Sequence, residues 1–106
     1  MKPNRELLEQ ALQKLLDQLK GMPVKRVILF GSLAYGKIRA SSDLDLLVIF
    51  DDESNFKERM RKLYDMLESP VDFDLLAYNE EEFERIKGRS LFRHILKEGK
   101  VIYEAG

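Results

Sequence analysis

The amino-acid sequence has no cysteine and no excess of either charge. Without cysteine, its 106 residues can form neither a disulfide nor a thiolate-bound metal site. Eighteen lysines and arginines against nineteen aspartates and glutamates leave a formal net charge of -1, so no overall basic field attracts nucleic acid or an anionic membrane. A long polymeric DNA or RNA substrate is therefore disfavoured.

The sequence also lacks long apolar runs and low-complexity linkers. Residues 1–16 are amphipathic and charged, without the uncharged apolar segment of a signal peptide or a membrane span, and we therefore expect a cytoplasmic protein. Hydrophobic residues make up 44% of the chain and charged residues 35%, which is typical of a folded globular protein. A chain of this length is expected to form a single domain over residues 1–106.

Segments of different hydrophobic period alternate along the chain. Apolar residues recur at three- and four-residue steps from Leu7 to Leu19, which predicts a helix with Asn4 as its N-cap and Gly21 at its end. Runs rich in β-branched and aromatic residues predict three strands. These strands are expected over residues 24–30, 43–50 and 71–78.

Cap residues and proline place the remaining elements. Ser54 is expected to cap a helix that Pro70 ends, and Asn79 is expected to cap another. A short helix over 90–97 and an edge strand over 101–103 complete the prediction. The pattern indicates an α/β (α+β) domain, with a central mixed sheet of three to four strands, helices packed against it and an acidic site at one edge.

The stretch that indicates a chemistry is Gly31-Ser32, then ten residues, then Asp43-Leu44-Asp45. Asp43 and Asp45 stand two apart in a predicted strand, so their carboxylates point to the same face and form a pair suited to Mg²⁺. Gly31 and Ser32 follow a buried strand. Their backbone N–H groups and the serine hydroxyl offer a place where a phosphate could dock.

A further carboxylate is expected on the strand over 71–78. An acidic residue there should lie in the sheet interior, where an unpaired charge is costly, so something positive should face it. If this strand lies beside the one carrying Asp43 and Asp45, Asp74 completes a cluster of three, although Asp72 has the same parity. Three aspartates could hold two Mg²⁺ ions about 3.5 to 4 Å apart for an in-line phosphoryl displacement.

Taken together, Gly31-Ser32, Asp43-x-Asp45 and a later strand bearing an aspartate resemble the minimal nucleotidyltransferase family of the DNA polymerase beta-like superfamily. The resemblance extends from the first helix to the closing segment 98–103. It implies that Gly31 and Ser32 hold a nucleoside triphosphate. It further implies that Asp43, Asp45 and Asp74 bind two Mg²⁺ ions, with Asp74 favoured over Asp72 by its distance from the following helix.

The sequence departs from the family at two positions. In many members arginine follows Gly-Ser and recurs two residues on, whereas this chain has Leu33 and Tyr35. Two cations near a tetra-anionic nucleotide are thereby lost. Lys37 and Arg39 could take their place in binding the nucleotide.

The resemblance implies a reaction and a partner. The reaction would transfer a nucleoside monophosphate, AMP from ATP, to a hydroxyl with release of pyrophosphate. Minimal nucleotidyltransferases are often paired with a HEPN-domain protein, as antitoxins that adenylylate the toxin. We expect a nucleoside triphosphate and a HEPN protein as partners, no membrane and no long nucleic acid, with self-association left open.

Other readings stay open beside this one. A module that neutralises its toxin by contact alone is favoured by the loss of the arginines, whereas retention of three carboxylates favours an enzyme. A sugar-nucleotide or antibiotic nucleotidyltransferase acting alone is disfavoured because no second domain is expected. Arg89 and His94 match the short motif of the HEPN ribonucleases, but those are helical bundles, and the predicted strands make the match a coincidence.

Overall fold

The computed structural model describes residues 4–31 and 43–105, and these form four strands and four helices. The sheet is mixed, with strand order β3-β2-β1-β4; β1 is antiparallel to β2 and β4, while β2 and β3 are parallel. This confirms the predicted fold class. In chain order the elements are α1 (Arg5–Leu19), β1 (Val24–Phe30), β2 (Leu44–Phe50), α2 (Phe56–Met66), β3 (Phe73–Asn79), α3 (Glu80–Ile86), α4 (Ser90–Glu98) and β4 (Lys100–Glu104).

Side chains of the central strands alternate between two buried clusters, one on each face of the sheet. The first face packs against α1 and α2, and the second packs against α3 and α4. No helix within residues 4–31 and 43–105 is long and apolar enough to cross a membrane. Strand residues on the first face include Val27, Leu29, Leu46 and Val48, and those on the second include Ile28, Leu47 and Ile49.

The capping predictions hold for two helices. The Asn4 side chain accepts a hydrogen bond from the Leu7 N–H at 2.8 Å, which satisfies one free donor at the start of α1. Asn79 begins α3 with a capping box, in which its side chain accepts from the Glu82 N–H and the Glu82 carboxylate accepts from the Asn79 N–H, each at 2.8 Å. α4 and β4 form within about one residue of their predicted bounds.

The predicted bounds of α2 are wrong at both ends. Asn55, not Ser54, is the N-cap, because the Ser54 N–H and hydroxyl both donate to the Asp52 carboxylate. The helix ends at Met66, so Pro70 does not end it. Leu67 is already extended and buried, and the Gln18 side chain exchanges hydrogen bonds with the backbone of the next residue, Glu68, which holds the chain outside a helix.

Arg59 on α2 is a buried charged residue, 4% exposed, that ties three elements together. Its guanidinium donates to the Ala77 carbonyl at 3.0 Å and to the Glu82 carboxylate at 2.7 Å, and it lies 3.6 Å from the Asp52 carboxylate. These contacts fix α2 to the end of β3 and to the start of α3. The carboxyl ends of β2 and β3 are therefore held by paired charges.

Candidate active site

The predicted acidic residues lie at the opposite end of the same strands, where β2 and β3 begin and β1 ends. Phe30 on β1 is the register partner of Asp45 on β2, and Asp45 is the register partner of Asp74 on β3. Gly31 follows Phe30 directly. Three neighbouring strands thus bring Gly31, Asp45 and Asp74 to one end of the sheet.

The parallel register places the carboxylates on one face. Asp45 and Asp74 are directly opposite, and Asp43 precedes Asp45 by two residues, so all three side chains leave the sheet on the same side. Asp72 lies beside Asp43 instead, since its carbonyl accepts the Asp43 N–H at 3.2 Å. The expectation that the strand of Asp74 lies beside that of Asp45 is confirmed. The role of Asp74 as a ligand stays a prediction.

The argument from burial that led to Asp74 is wrong. β3 is an outer strand of the sheet rather than an interior one, and Asp74 is exposed. An exposed carboxylate keeps its water and needs no cation to offset burial. The case for Asp74 therefore rests on its alignment with Asp45.

Asp43 is held by the neighbouring strand. One of its carboxylate oxygens, Oδ2, accepts the Asp72 N–H at 3.1 Å, and the residue is half-buried. Among the residues that the structure describes, no three Asp, Glu, His or Cys side chains are gathered closely enough to hold a metal. Like charges repel at short range, which disfavours convergence of carboxylates without a cation.

The donor set nevertheless suits Mg²⁺, which prefers carboxylate oxygens. Asp43 and Asp45 supply them from one strand, and Asp74 supplies them from its neighbour, with the register already in place. Binding of a cation here requires rotation of side chains on a fixed sheet. Asp43, Asp45 and Asp74 remain the predicted metal ligands.

Gly31 is required by its conformation and by its neighbour. Its φ of +80° lies in the left-handed region that glycine tolerates best. A Cβ at this position would also collide with the Asp45 carboxylate oxygen Oδ2. The absence of a side chain therefore both shapes the turn and leaves room for Asp45. Three further residues predicted to bind the nucleotide, Ser32, Lys37 and Arg39, lie outside the described residues, as do Leu33 and Tyr35.

Sequence reasoning missed a polar contact next to Asp74. The Tyr64 hydroxyl on α2 accepts the Leu75 N–H at 2.9 Å, and its ring stacks on Phe73 with centroids 5.5 Å apart. Spacing alone places Tyr64 on an apolar stripe of α2 with Phe56 and Met60. Its hydroxyl could have predicted the hydrogen bond, because a tyrosine in an apolar helix stripe carries a polar group that usually finds a partner.

Among the described residues, the pKa of Tyr78 and the pKa of Lys25 are raised above their ordinary values. Burial raises the pKa of the Tyr78 phenol, helped by the nearby Glu82 carboxylate. A hydrogen bond from the Lys25 ammonium to Glu80 raises the pKa of that lysine. Tyr78 lies near the carboxyl end of β3, and Lys25 lies beside α3.

Comparison with known proteins identifies the family of this chain. The family described as "Polymerase beta, Nucleotidyltransferase" matches residues 10–106, and the chain belongs to that family. A relative from Methanocaldococcus jannaschii, named as a "putative protein adenylyltransferase", is 31% identical over 99 residues, which cover 90% of this chain and 97% of the relative.

A solved structure has the same fold. It is described as a "putative nucleotidyltransferase" from Sulfolobus solfataricus, and it superposes with a TM-score of 0.58 at 21% identity. The match covers 98% of this chain and 92% of the other. At that identity the likeness shows the fold alone, which is the nucleotidyltransferase fold expected from the sequence.

Proposed function

We propose that this chain transfers AMP from ATP to a hydroxyl group of a partner protein and releases pyrophosphate. The observation that carries the proposal is the register pairing of Asp45 with Asp74, with Asp43 on the same face and the left-handed Gly31 beside Asp45. Membership of the nucleotidyltransferase family supports the reaction type. The name of the archaeal relative supports a protein as acceptor.

Each residue of this end has a distinct role in the proposed reaction. Gly31 and Ser32 would bind the phosphates, as the family resemblance implies. Asp43, Asp45 and Asp74 would hold two Mg²⁺ ions, which when bound neutralise the phosphates and make the acceptor hydroxyl easier to deprotonate. Asp74 lies on the outer strand and faces solvent, so it can meet the hydroxyl of an incoming partner.

The bond changes balance without a protein nucleophile. The acceptor oxygen forms a bond to the α-phosphorus while the bond to the bridging oxygen of the β-phosphate breaks. The hydroxyl proton passes to a carboxylate oxygen of Asp74 and then to solvent. Pyrophosphate leaves on the side of Gly31.

We further propose that the partner is a HEPN-domain protein and that the pair is a toxin-antitoxin system. The described chain consists of one sheet and four helices, with no further module to grip an acceptor. Holding a hydroxyl in line with phosphorus can be worth roughly 7 to 11 kcal/mol, and a tightly bound partner would supply that positioning. Transfer to unrelated proteins or to nucleic acid should therefore be low.

The test is to incubate this chain with Mg²⁺, α-labelled ATP and the product of the neighbouring gene, which the proposal expects to be a HEPN protein. The expected result is a mass gain of one or more AMP units on the partner, lost in Asp43→Ala. Asp51→Ala is the matched control, because Asp51 is an exposed aspartate at the opposite end of β2 and should transfer AMP like the wild type.

The second candidate is neutralisation by contact, which the leucine and tyrosine at positions 33 and 35 favour because cations near the nucleotide are lost. It predicts that Asp43→Ala silences the toxin as well as wild type does, with no AMP on the partner in either case. That outcome would overturn the enzymatic proposal.

A further inference from the structure

An open groove of about 630 Å³ lies along the start of β3, between that strand and the last turn of α2. Its lining includes Tyr64, Glu68, Ser69, Asp72 and Asp74. Asp74 is shared with the acidic end of the sheet, because it is the register partner of Asp45. The groove therefore leads directly to the proposed site of transfer.

The charge of the groove distinguishes between possible occupants. Three carboxylates line it, from Glu68, Asp72 and Asp74, and no lysine or arginine is among its described lining residues. The Lys14 ammonium lies 3.9 Å from the Glu68 carboxylate, but the Glu68 side chain is 80% exposed. An ion pair that is so exposed to water is weak. A nucleoside triphosphate would be repelled here, whereas a cationic segment would be attracted.

The exposed edge of β3 offers hydrogen bonds to an extended chain. The Leu75 N–H donates to Tyr64 and the Ala77 carbonyl accepts from Arg59, so residues of this parity turn their backbone groups away from β2. Phe73 has the same parity and begins the strand. Within the described residues no side chain bonds the Phe73 backbone, whereas α2 covers the edge further along.

Tyr64 adds a directed donor. Its oxygen accepts the Leu75 N–H, which leaves the hydroxyl proton available to a ligand. Tyr64 lines the groove and is 44% exposed, so a ligand can reach it. A carbonyl of a bound segment is a suitable acceptor for that proton. Edge pairing at Phe73 and the Tyr64 hydroxyl both favour an extended peptide.

We propose that this groove binds the acceptor segment: an extended, basic stretch of the partner protein that carries the target hydroxyl and pairs with the β3 edge at Phe73. The identity of the ligand as the acceptor rests on the proposed function. The segment enters beside Glu68 and Asp72 and reaches Asp74, while Tyr64 and Arg59 prevent pairing beyond Leu75.

The probe is a nine-residue peptide with a central serine flanked by lysines, compared with the same peptide flanked by glutamates. Without nucleotide, backbone amide NMR should show shifts at residues 72–75 with the basic peptide and none with the acidic one. Glu68→Lys should weaken binding about two- to fivefold. Glu84→Lys, in a separate cavity lined by Lys25 and Arg26, is the matched control and should bind like the wild type.

Strand pairing has its own signature. Methylating successive backbone nitrogens of the basic peptide removes one donor at a time, and pairing at Phe73, whose carbonyl accepts one N–H, predicts a loss at one position. Uniform losses would overturn the edge contact. Shifts confined to residues outside the groove, no shifts at millimolar peptide, or equal binding of the two peptides would overturn the groove itself.

The two proposals fail in different ways. If the wild type transfers AMP to its partner and Glu68→Lys leaves the KM for the partner unchanged, the groove is wrong and the proposed function stands. If the peptide binds at residues 72–75 but no AMP is transferred to the partner, the reaction is wrong and the groove is a protein-binding surface.

Discussion

The two ends of the β2–β3 pair carry carboxylates in opposite settings. At the carboxyl ends, Asp52 and Glu82 share the buried guanidinium of Arg59. At the amino ends, Asp43 and Asp74 have no lysine or arginine partner among the residues that the structure describes, and Asp74 lies directly across from Asp45. The same residue type on the same strands therefore has two different surroundings.

The difference separates structural from functional charge. Arg59 repays the cost of its burial by joining two carboxylates and two backbone carbonyls, so its presence is explained by the fold. Aligned carboxylates on neighbouring strands repel one another and do not stabilise the fold. The proposed function assigns these carboxylates to a ligand, Mg²⁺, which prefers carboxylate oxygens.

The largest effect on stability is expected at the paired end. Arg59→Met leaves Asp52 and Glu82 without their cation and the Ala77 carbonyl without its donor, so the free energy of unfolding should fall by about 3 to 5 kcal/mol. Urea unfolding at neutral pH measures it. Arg61→Met changes an exposed arginine on the same helix and should stay within about 0.5 kcal/mol of wild type. Equal losses for both would show that the Arg59 contacts contribute little.

At the acidic end the expected loss is of activity rather than stability. Asp74→Asn should lower kcat for AMP transfer by about 10² to 10³, because a carboxylate that acts on the developing charge is removed. Asp72→Asn, just before β3 and on the same face, should leave kcat unchanged. Both residues are exposed, so both variants should unfold at the same urea concentration as wild type. The reverse ranking of kcat would make Asp72 the ligand.

Gly31 at the acidic end should be sensitive to an added side chain, whereas Gly88 should not be. Gly31→Ala places a Cβ against the Asp45 carboxylate at a φ of +80°, so stability should fall by about 1 to 2 kcal/mol and AMP transfer should fall with it. Gly88→Ala is the matched control, since a Cβ there meets nothing within 4 Å. Thermal unfolding of the two variants decides the comparison, and similar melting temperatures would contradict it.

The local sequence pattern predicted the helices and strands well. The order of the strands in the sheet depends on long-range pairing, which the local pattern does not contain. The strand Val24–Phe30 was predicted at its observed bounds because it is rich in β-branched and aromatic residues. The position of β3 at the sheet edge follows from pairing that no local pattern encodes, and the burial argument for Asp74 failed for that reason. Ser54 and Asn55 are both good caps, and only the nearby Asp52 decided between them.

Arg59 could have been found from the sequence. It lies three residues after Phe56 and four before Leu63, which places an arginine on the buried stripe of α2. A charged residue at such a position predicts an acidic partner in the fold. The partners themselves, Asp52 and Glu82, come from other segments and could not be identified without the structure.

Tyr78 lies near the carboxyl end of β3, the end with the paired charges. Burial between the rings of Phe56 and Phe92, with Glu82 nearby, raises the pKa of its phenol above the ordinary value of 10.0, while Arg89 opposes the shift. As the pH rises, the unfolded chain therefore loses the phenol proton at a lower pH than the folded protein does. The resulting stabilisation is complete below about pH 10 and is lost as the pH rises through the pKa of the folded protein.

The prediction compares wild type with Tyr78→Phe, which keeps the ring and removes the ionisation. The difference in unfolding free energy between them should be constant from about pH 7 to 9, and above about pH 10 it should move against wild type. Urea unfolding at a series of pH values measures that difference, and groups common to both proteins cancel. If the two stability curves run parallel through pH 11, the phenol is not buried enough to shift, and the packing of Tyr78 against Phe56 is looser than the structure shows.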